Sequence, residues 1–302
     1  MTNSPQPPHE PHPNHDRGLE FDLSTLMSRR SLGLFFGAGT AAAALAACTP
    51  GSTSGTASSS ATATPSASAT ATPSSSASAT PSASPTLTRA IADCGVEIPQ
   101  ETAGPYPGDG SNGPNVLEAS GVVRQDITSS FGSATTKAEG IPLTVTLTLL
   151  DNANGCKPLA GAAVYVWHCD RDGKYSMYDA GLENENFLRG VQEADANGQV
   201  TFTTIYPGAY NGRWPHIHFE VFESMSNATV AGQVLAVSQI AMTEAACNEI
   251  YATPGYETSA RNFPNTTLTS DNVFGDDGGI YQLATMSGSV AAGYTAGLNV
   301  TV

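Results

Sequence analysis

The chain has 302 residues with 27 acids against 12 bases, a formal net charge of −15. Setting aside the four acids and three bases that precede Arg89 leaves 23 against 9. That surplus disfavours nucleic acid and anionic membrane surfaces as partners and says little about chemistry. The first 47 residues read as an address. Ser28-Arg29-Arg30-Ser31-Leu32 opens an apolar run ending at Ala47, short for a bilayer span and suited to a signal peptide. The arginine pair predicts twin-arginine export, and Leu45-Ala46-Ala47-Cys48 predicts a lipoprotein cleavage box with Cys48 as the lipidated residue. The domain would then be held at the outer face of the cell membrane. His9, His12 and His15 precede the cleavage point, so they are not ligand candidates. Apart from Leu87, residues 49–88 are only Ser, Thr, Ala, Pro and Gly. Residues 48–88 therefore read as a disordered tether, with a coil dimension of roughly 35 Å.

Residues 89–302 are sized for one β-rich domain. Strands are predicted at residues 143–150 (LTVTLTLL), 162–168 (AAVYVWH), 199–205 (QVTFTTI) and 234–242. A loop, CDRDGKYS, follows the second of these, and an ordered piece begins at Phe187. The Asp195–Gly198 stretch DANG is a tight turn. Residues 243–251 suggest a short helix, and 281–287 and 296–302 two more strands. Asp276-Asp277-Gly278-Gly279, Asp170 and Asp172 read as turn formers. Short strands joined by Gly, Pro and Asn turns argue for an antiparallel β-sandwich.

Beyond Cys48 lie Cys94, Cys156, Cys169 and Cys247, an even number in an exported domain, so two disulfides are expected. Cys156 and Cys169 flank one predicted strand, roughly 20 Å apart by strand rise, which excludes their pairing. Of the two connectivities left, Cys94–Cys156 with Cys169–Cys247 is the expected one.

Residues 206–221, YPGAYNGRWPHIHFEV, organise the rest. On a strand, His216 and His218 share one face while Ile217 and Phe219 take the other. Two such imidazoles can converge on one metal, and Tyr210 can fold back over them across Asn211-Gly212. Two donor sets are open. One is His168, His216 and His218, suited to Zn²⁺ or Fe²⁺. The other is Tyr175 and Tyr210 with His216 and His218. Tyrosine ionises near pH 10, so that set needs a hard, highly charged ion such as Fe(III). His168 reads better as a hydrogen-bonded histidine at a strand end.

The order ETAGPYP, WHCDRDGKYS, then FLRGVQEADANGQVTFTTIYPGAYNGRWPHIHFEV resembles the intradiol ring-cleavage dioxygenases, in particular their exported branch, from about residue 94 to the C-terminus. The resemblance implies a transthyretin-like β-sandwich with long active-site loops and a nonheme Fe(III). It implies cleavage of a catechol-type aromatic by O₂ to a cis,cis-muconate-type diacid. Carried over position by position, Tyr175 is the tyrosinate that stays on iron and His216 its equatorial partner. Tyr210 is the axial tyrosinate that leaves when substrate binds, and His218 lies opposite. Arg213 stands beside the bound ring and Gln239 behind it. All four ligand positions are filled. The expected partners are a small aromatic diol and O₂, with membrane contact only through lipidated Cys48. Residues 109–137 and 222–229 are candidates for reading ring substituents. The alternatives are a three-histidine enzyme and a non-enzymatic surface domain that binds aromatics or a cell-surface partner.

Overall fold

The computed structural model describes residues 95–230 and 232–302. The signal segment, Cys48, the tether and Cys94 lie outside the described residues. Strand β1, Pro142–Asp151, alternates strictly: Leu143, Val145, Leu147 and Leu149 are buried while the intervening threonines are half-buried. Period-2 burial of this kind fixes register, because a one-residue slip would turn every leucine and valine to the wrong face. β1 pairs antiparallel with β2 (Lys157–Pro158) and β5 (Gln199–Ile205), and on its other side with β9 (Gly293–Thr301), which pairs with β8 (Thr285–Ser289). The second sheet has the order β4 (Arg189–Glu193), β3 (Ala163–Trp167), β6 (His216–Phe222), β7 (Val234–Ala241), antiparallel throughout.

The central core includes Leu147, Phe202 and Leu298 from the first sheet and Val164, Val166, Ile217, Phe219 and Ile240 from the second. Each such side chain stabilises by roughly 1.5–3 kcal/mol when fully buried. β3 and β6 are buried at every residue because loops cover the face of their sheet that points away from this core. Tyr165 and Trp167 belong to that second, loop-covered cluster, with Tyr106, Leu117 and Tyr175. Alternation along β6 sends His216 and His218 to the same outer face. The site is thus roofed by loops and floored by a sheet.

The β1–β9 pair is parallel, unlike the other ladders. Parallel neighbours need a long crossover, and here the whole domain between its first and last strands provides it. Helix α2, Glu244–Tyr251, begins after Thr243 as expected. Two short helices, α1 (Met225–Ala228) and α3 (Glu257–Asn262), have too few residues for a legible period. Among the described residues no helix is long and apolar enough to cross a membrane.

The cysteines require a correction. Cys156 is disulfide-bonded, but Cys169 and Cys247 are free and buried; the partner of Cys156 therefore lies outside the described residues. The two thiols are engaged separately. Cys169 Sγ donates to Gly208 O at 3.5 Å under the loops, and Cys247 Sγ lies 3.1 Å from Tyr206 Oη in the central core. Burial pushes the Cys169 thiol well above its ordinary range and Cys247 up to about 12. Both remain protonated and unreactive at neutral pH.

Candidate metal centre

Tyr175 stands in the loop after β3, and Tyr210 in the loop entering β6. The two loops are packed without slack. A Cβ on Gly208 would lie 2.6 Å from Asp170 O, and one on Gly173 3.1 Å from Tyr210 Cβ. Asp170 shapes the first loop, its carboxylate accepting from the backbone N–H of Asp172 and Lys174 at 2.9 Å each. Ser259 on α3 ties the loops together, accepting from Ala209 N and donating to Arg171 O, both at 2.9 Å.

The four donors converge. Tyr210 Oη lies 3.2 Å from His216 Nε2, and His216 Nε2 lies 3.1 Å from His218 Nε2. The Tyr175 ring is 6.0 Å from that of Tyr210 and 6.5 Å from that of His218. His216 Nδ1 donates to Trp214 O at 2.5 Å, which leaves a lone pair on Nε2 aimed at the common point. Trp167 and Gln239 are the register partners of His218 on β3 and β7, and the Trp167 ring stacks on the imidazole at 4.9 Å and 5°.

The electrostatics fit a hard cation. Burial first, then the Arg213 charge, lowers His216 to about 3. Burial and neighbouring His216 also hold His218 well below its ordinary value. Both imidazoles are therefore neutral at physiological pH, the form that can ligate a metal. Burial, then the Tyr210 phenol, pushes Tyr175 well above its ordinary value, and its buried Oη meets no hydrogen-bond partner of acceptable geometry. A buried phenol without a partner costs free energy. A high-charge ion that holds phenolate removes the cost, so two imidazoles and two phenols suit Fe(III).

His168 stands apart from this set. Its Nδ1 donates to Cys169 O at 2.8 Å and its Nε2 accepts from Thr204 Oγ1 at 2.7 Å, so both ring nitrogens are committed. Among the described residues no cluster of three or more His, Cys, Asp or Glu could hold a metal. The three-histidine arrangement is not assembled.

Arg213 and Gln239 meet beside the histidines, the guanidinium donating to Gln239 Oε1 at 2.6 Å while Gln239 Nε2 donates to Thr102 O at 2.9 Å. Sequence reasoning missed two residues here. Asp271, 2% exposed, accepts Arg213 Nε at 3.0 Å. Arg189, 1% exposed, binds Tyr106 O, Pro107 O and Ser176 O and so fastens the leading segment to the loop of Tyr175. Arg189 falls within the FLRGV stretch, but its partners lie far off in sequence; Asp271 carries no local signal.

Two tyrosines and two histidines thus converge on one face of a loop-roofed β-sandwich, a donor set suited to a hard metal ion. Residues 112–235 match a family model described as "Dioxygenase". The chain is 39% identical over 95 residues to a protocatechuate 3,4-dioxygenase beta chain of Burkholderia cepacia, covering 28% of this chain and 39% of that one. It is 40% identical over 55 residues to a catechol 1,2-dioxygenase of Acinetobacter lwoffii, covering 18% of each. The chain thus spans well under half the length of these curated relatives. An intradiol ring-cleavage dioxygenase from Tetranychus urticae, a solved structure, superimposes with a TM-score of 0.51 at 29% identity, over 61% of this chain and 87% of that one. The family-model match and the structural neighbours are intradiol ring-cleavage dioxygenases, to which the chain is similar over part of its length.

Proposed function

We propose that the chain is an iron-dependent intradiol dioxygenase that opens a catechol-type aromatic with O₂ to a muconate-type diacid. The observation that carries this reading is the convergence of His216, His218 and Tyr210 beside the buried Tyr175 phenol. Bound there, Fe(III) would supply the Lewis acidity that keeps phenolate and catecholate ionised and the electron acceptance that opens the ring to O₂.

The chain's own residues supply the rest. Tyr175, 1% exposed, is fixed, whereas Tyr210 is only partly buried and precedes the exposed Asn211-Gly212 turn. Tyr210 is therefore the phenol able to move aside for substrate, and its oxygen can take one of the two protons that a catechol gives up. Arg213 is cationic at every working pH, and Gln239 holds its guanidinium in place. It offsets negative charge that develops on the ring and its oxygens. The loop roof keeps bulk water from this face.

We further propose that the enzyme is exported and anchored through Cys48 at the outer face of the cell membrane, a reading supported by the Arg29-Arg30 and Leu45–Cys48 motifs. Globomycin sensitivity and mass spectrometry of the mature N-terminus test it; an unmodified, cytoplasmic N-terminus would refute it.

The central test is a panel of catechol, protocatechuate, hydroxyquinol and methylcatechols with purified, iron-loaded protein. It should be reddish, consume one O₂ per ring opened, and release the diacid that keeps both oxygen atoms. A colourless protein that leaves every diol intact would sink the reading.

A further inference from the structure

Asp271 lies between the 3₁₀ turn Phe263–Asn265 and β8, beyond the stretch that matches the dioxygenase family model. It is buried, and every group around its carboxylate donates. Oδ2 accepts Arg213 Nε at 3.0 Å and Trp214 N at 2.6 Å. Oδ1 accepts Val273 N at 2.8 Å, Phe274 N at 3.1 Å and Arg213 Nη2 at 3.4 Å. Two of these residues lead into the site. Trp214, held by its N–H, turns its carbonyl to His216 Nδ1 and so fixes which imidazole nitrogen faces the common point. Arg213, held by its Nε–H, donates from Nη2 to Gln239 Oε1.

We propose that Asp271 is the positioning residue that sets the His216 imidazole on the metal side and the Arg213 guanidinium on the substrate side as one unit. The proposal rests on the dioxygenase reading above. The chemistry of the pocket demands a carboxylate. A carboxamide of the same shape presents one acceptor oxygen, and its NH₂ would face donors. A glutamate adds a methylene to a filled site.

The first measurement uses wild-type, iron-free protein and needs no variant. The Arg213 Nε–H and Trp214 N–H resonances should both be protected from solvent exchange across pH 5 to 9, and free exchange of either would overturn the proposal. The second compares wild type, Asp271→Asn, Arg213→Gln and the double variant after iron loading. Asp271→Asn should bind iron in the same ratio, show an altered spectral shift on adding catechol, and turn over at least about tenfold slower with KM within about threefold. The double variant should be no slower than Arg213→Gln by more than about threefold, since residues acting as a unit are not additive. An Asp271→Asn turnover within about twofold of wild type, or losses that multiply in the double variant, would overturn the proposal. If Asp271→Asn does not fold, the exchange measurement decides alone. Wild-type protein that takes up no iron refutes the dioxygenase reading instead, and the exchange result stands apart from it.

Discussion

Tyr175 and Tyr210 offer the same phenol to the same point, yet the fold treats them differently. Tyr175 is sealed under the loops with Tyr106 packed on its ring at 4.9 Å, while Tyr210 touches solvent and follows a pinned Ala209. Removing each hydroxyl should therefore have distinct results. Tyr210→Phe should keep iron, lose much of the visible band and bind catechol more slowly; Tyr175→Phe should lose colour and iron affinity together. A Tyr175→Phe protein with wild-type spectrum and rate would remove Tyr175 from the centre. Glu101 is a second residue with a measurable signature. Burial first, with Gln282 opposing and Asp276 adding, raises its carboxyl from 4.5 to about 7. A folded state that binds the proton more tightly is favoured below the unfolded value, and that stability is lost as pH rises through about 7. Glu101→Gln should flatten this slope and gain about 1–2 kcal/mol at pH 8, the partial exposure of the side chain limiting the effect. Urea melts at pH 5 and pH 8 test it: an unchanged slope would refute it.

Among the elements, β6 was the most legible and α3 the least. The alternation His-Ile-His-Phe states which side chains share a face before any fold is known, and the Pro215 start and Asn211-Gly212 turn bound the strand. Tyr175 and Arg213 lay within motifs that short-range chemistry explains. Asp271, Arg189 and α3 act through contacts 50 to 90 residues away in sequence, such as Ala209 with Ser259 and Arg189 with Pro107, and no window of sequence contains them. The Cys169–Cys247 expectation failed for the same reason: an even cysteine count says nothing of which cluster each thiol enters. α3 makes a concrete claim. Its Ser259 and Asn262 hold both the N–H and the carbonyl of Ala209, at 2.9 and 3.0 Å, next to Tyr210. Ser259→Ala leaves Ala209 N and Arg171 O without their partner, which costs about 1–3 kcal/mol when such groups are buried. It should lower the urea midpoint and weaken iron binding. A variant with unchanged melting and unchanged iron titration would show that the clip is dispensable.

At the scale of the molecule, the parallel pair of β1 and β9 decides when the centre can exist. β9 supplies eight register partners to β1, from Tyr294 beside Leu143 to Thr301 beside Leu150, and buries Ala296, Leu298 and Val300 in the central core. Until β9 docks, β1 keeps an open edge and the core lacks those side chains, so the sheet that backs the site has nothing complete to pack on. β9 itself carries none of the donors of the candidate metal centre and lies outside residues 112–235, the part matched by the family model. A chain ending at residue 292 retains Tyr175, Tyr210, Arg213, His216, His218, Gln239 and Asp271. We nonetheless expect it to bind no iron and to melt without a cooperative transition. Loss of buried aliphatic side chains at roughly 1.5–3 kcal/mol each approaches the whole stability of a domain this size, and the exposed edge of β1 invites aggregation. The same topology puts closure late in folding, because the two strands are far apart in sequence and loop closure precedes their reward. Calorimetry and iron titration of the truncated chain decide the matter. A cooperative melt with full iron uptake would mean that the second sheet and its loops build the centre without the first sheet closed.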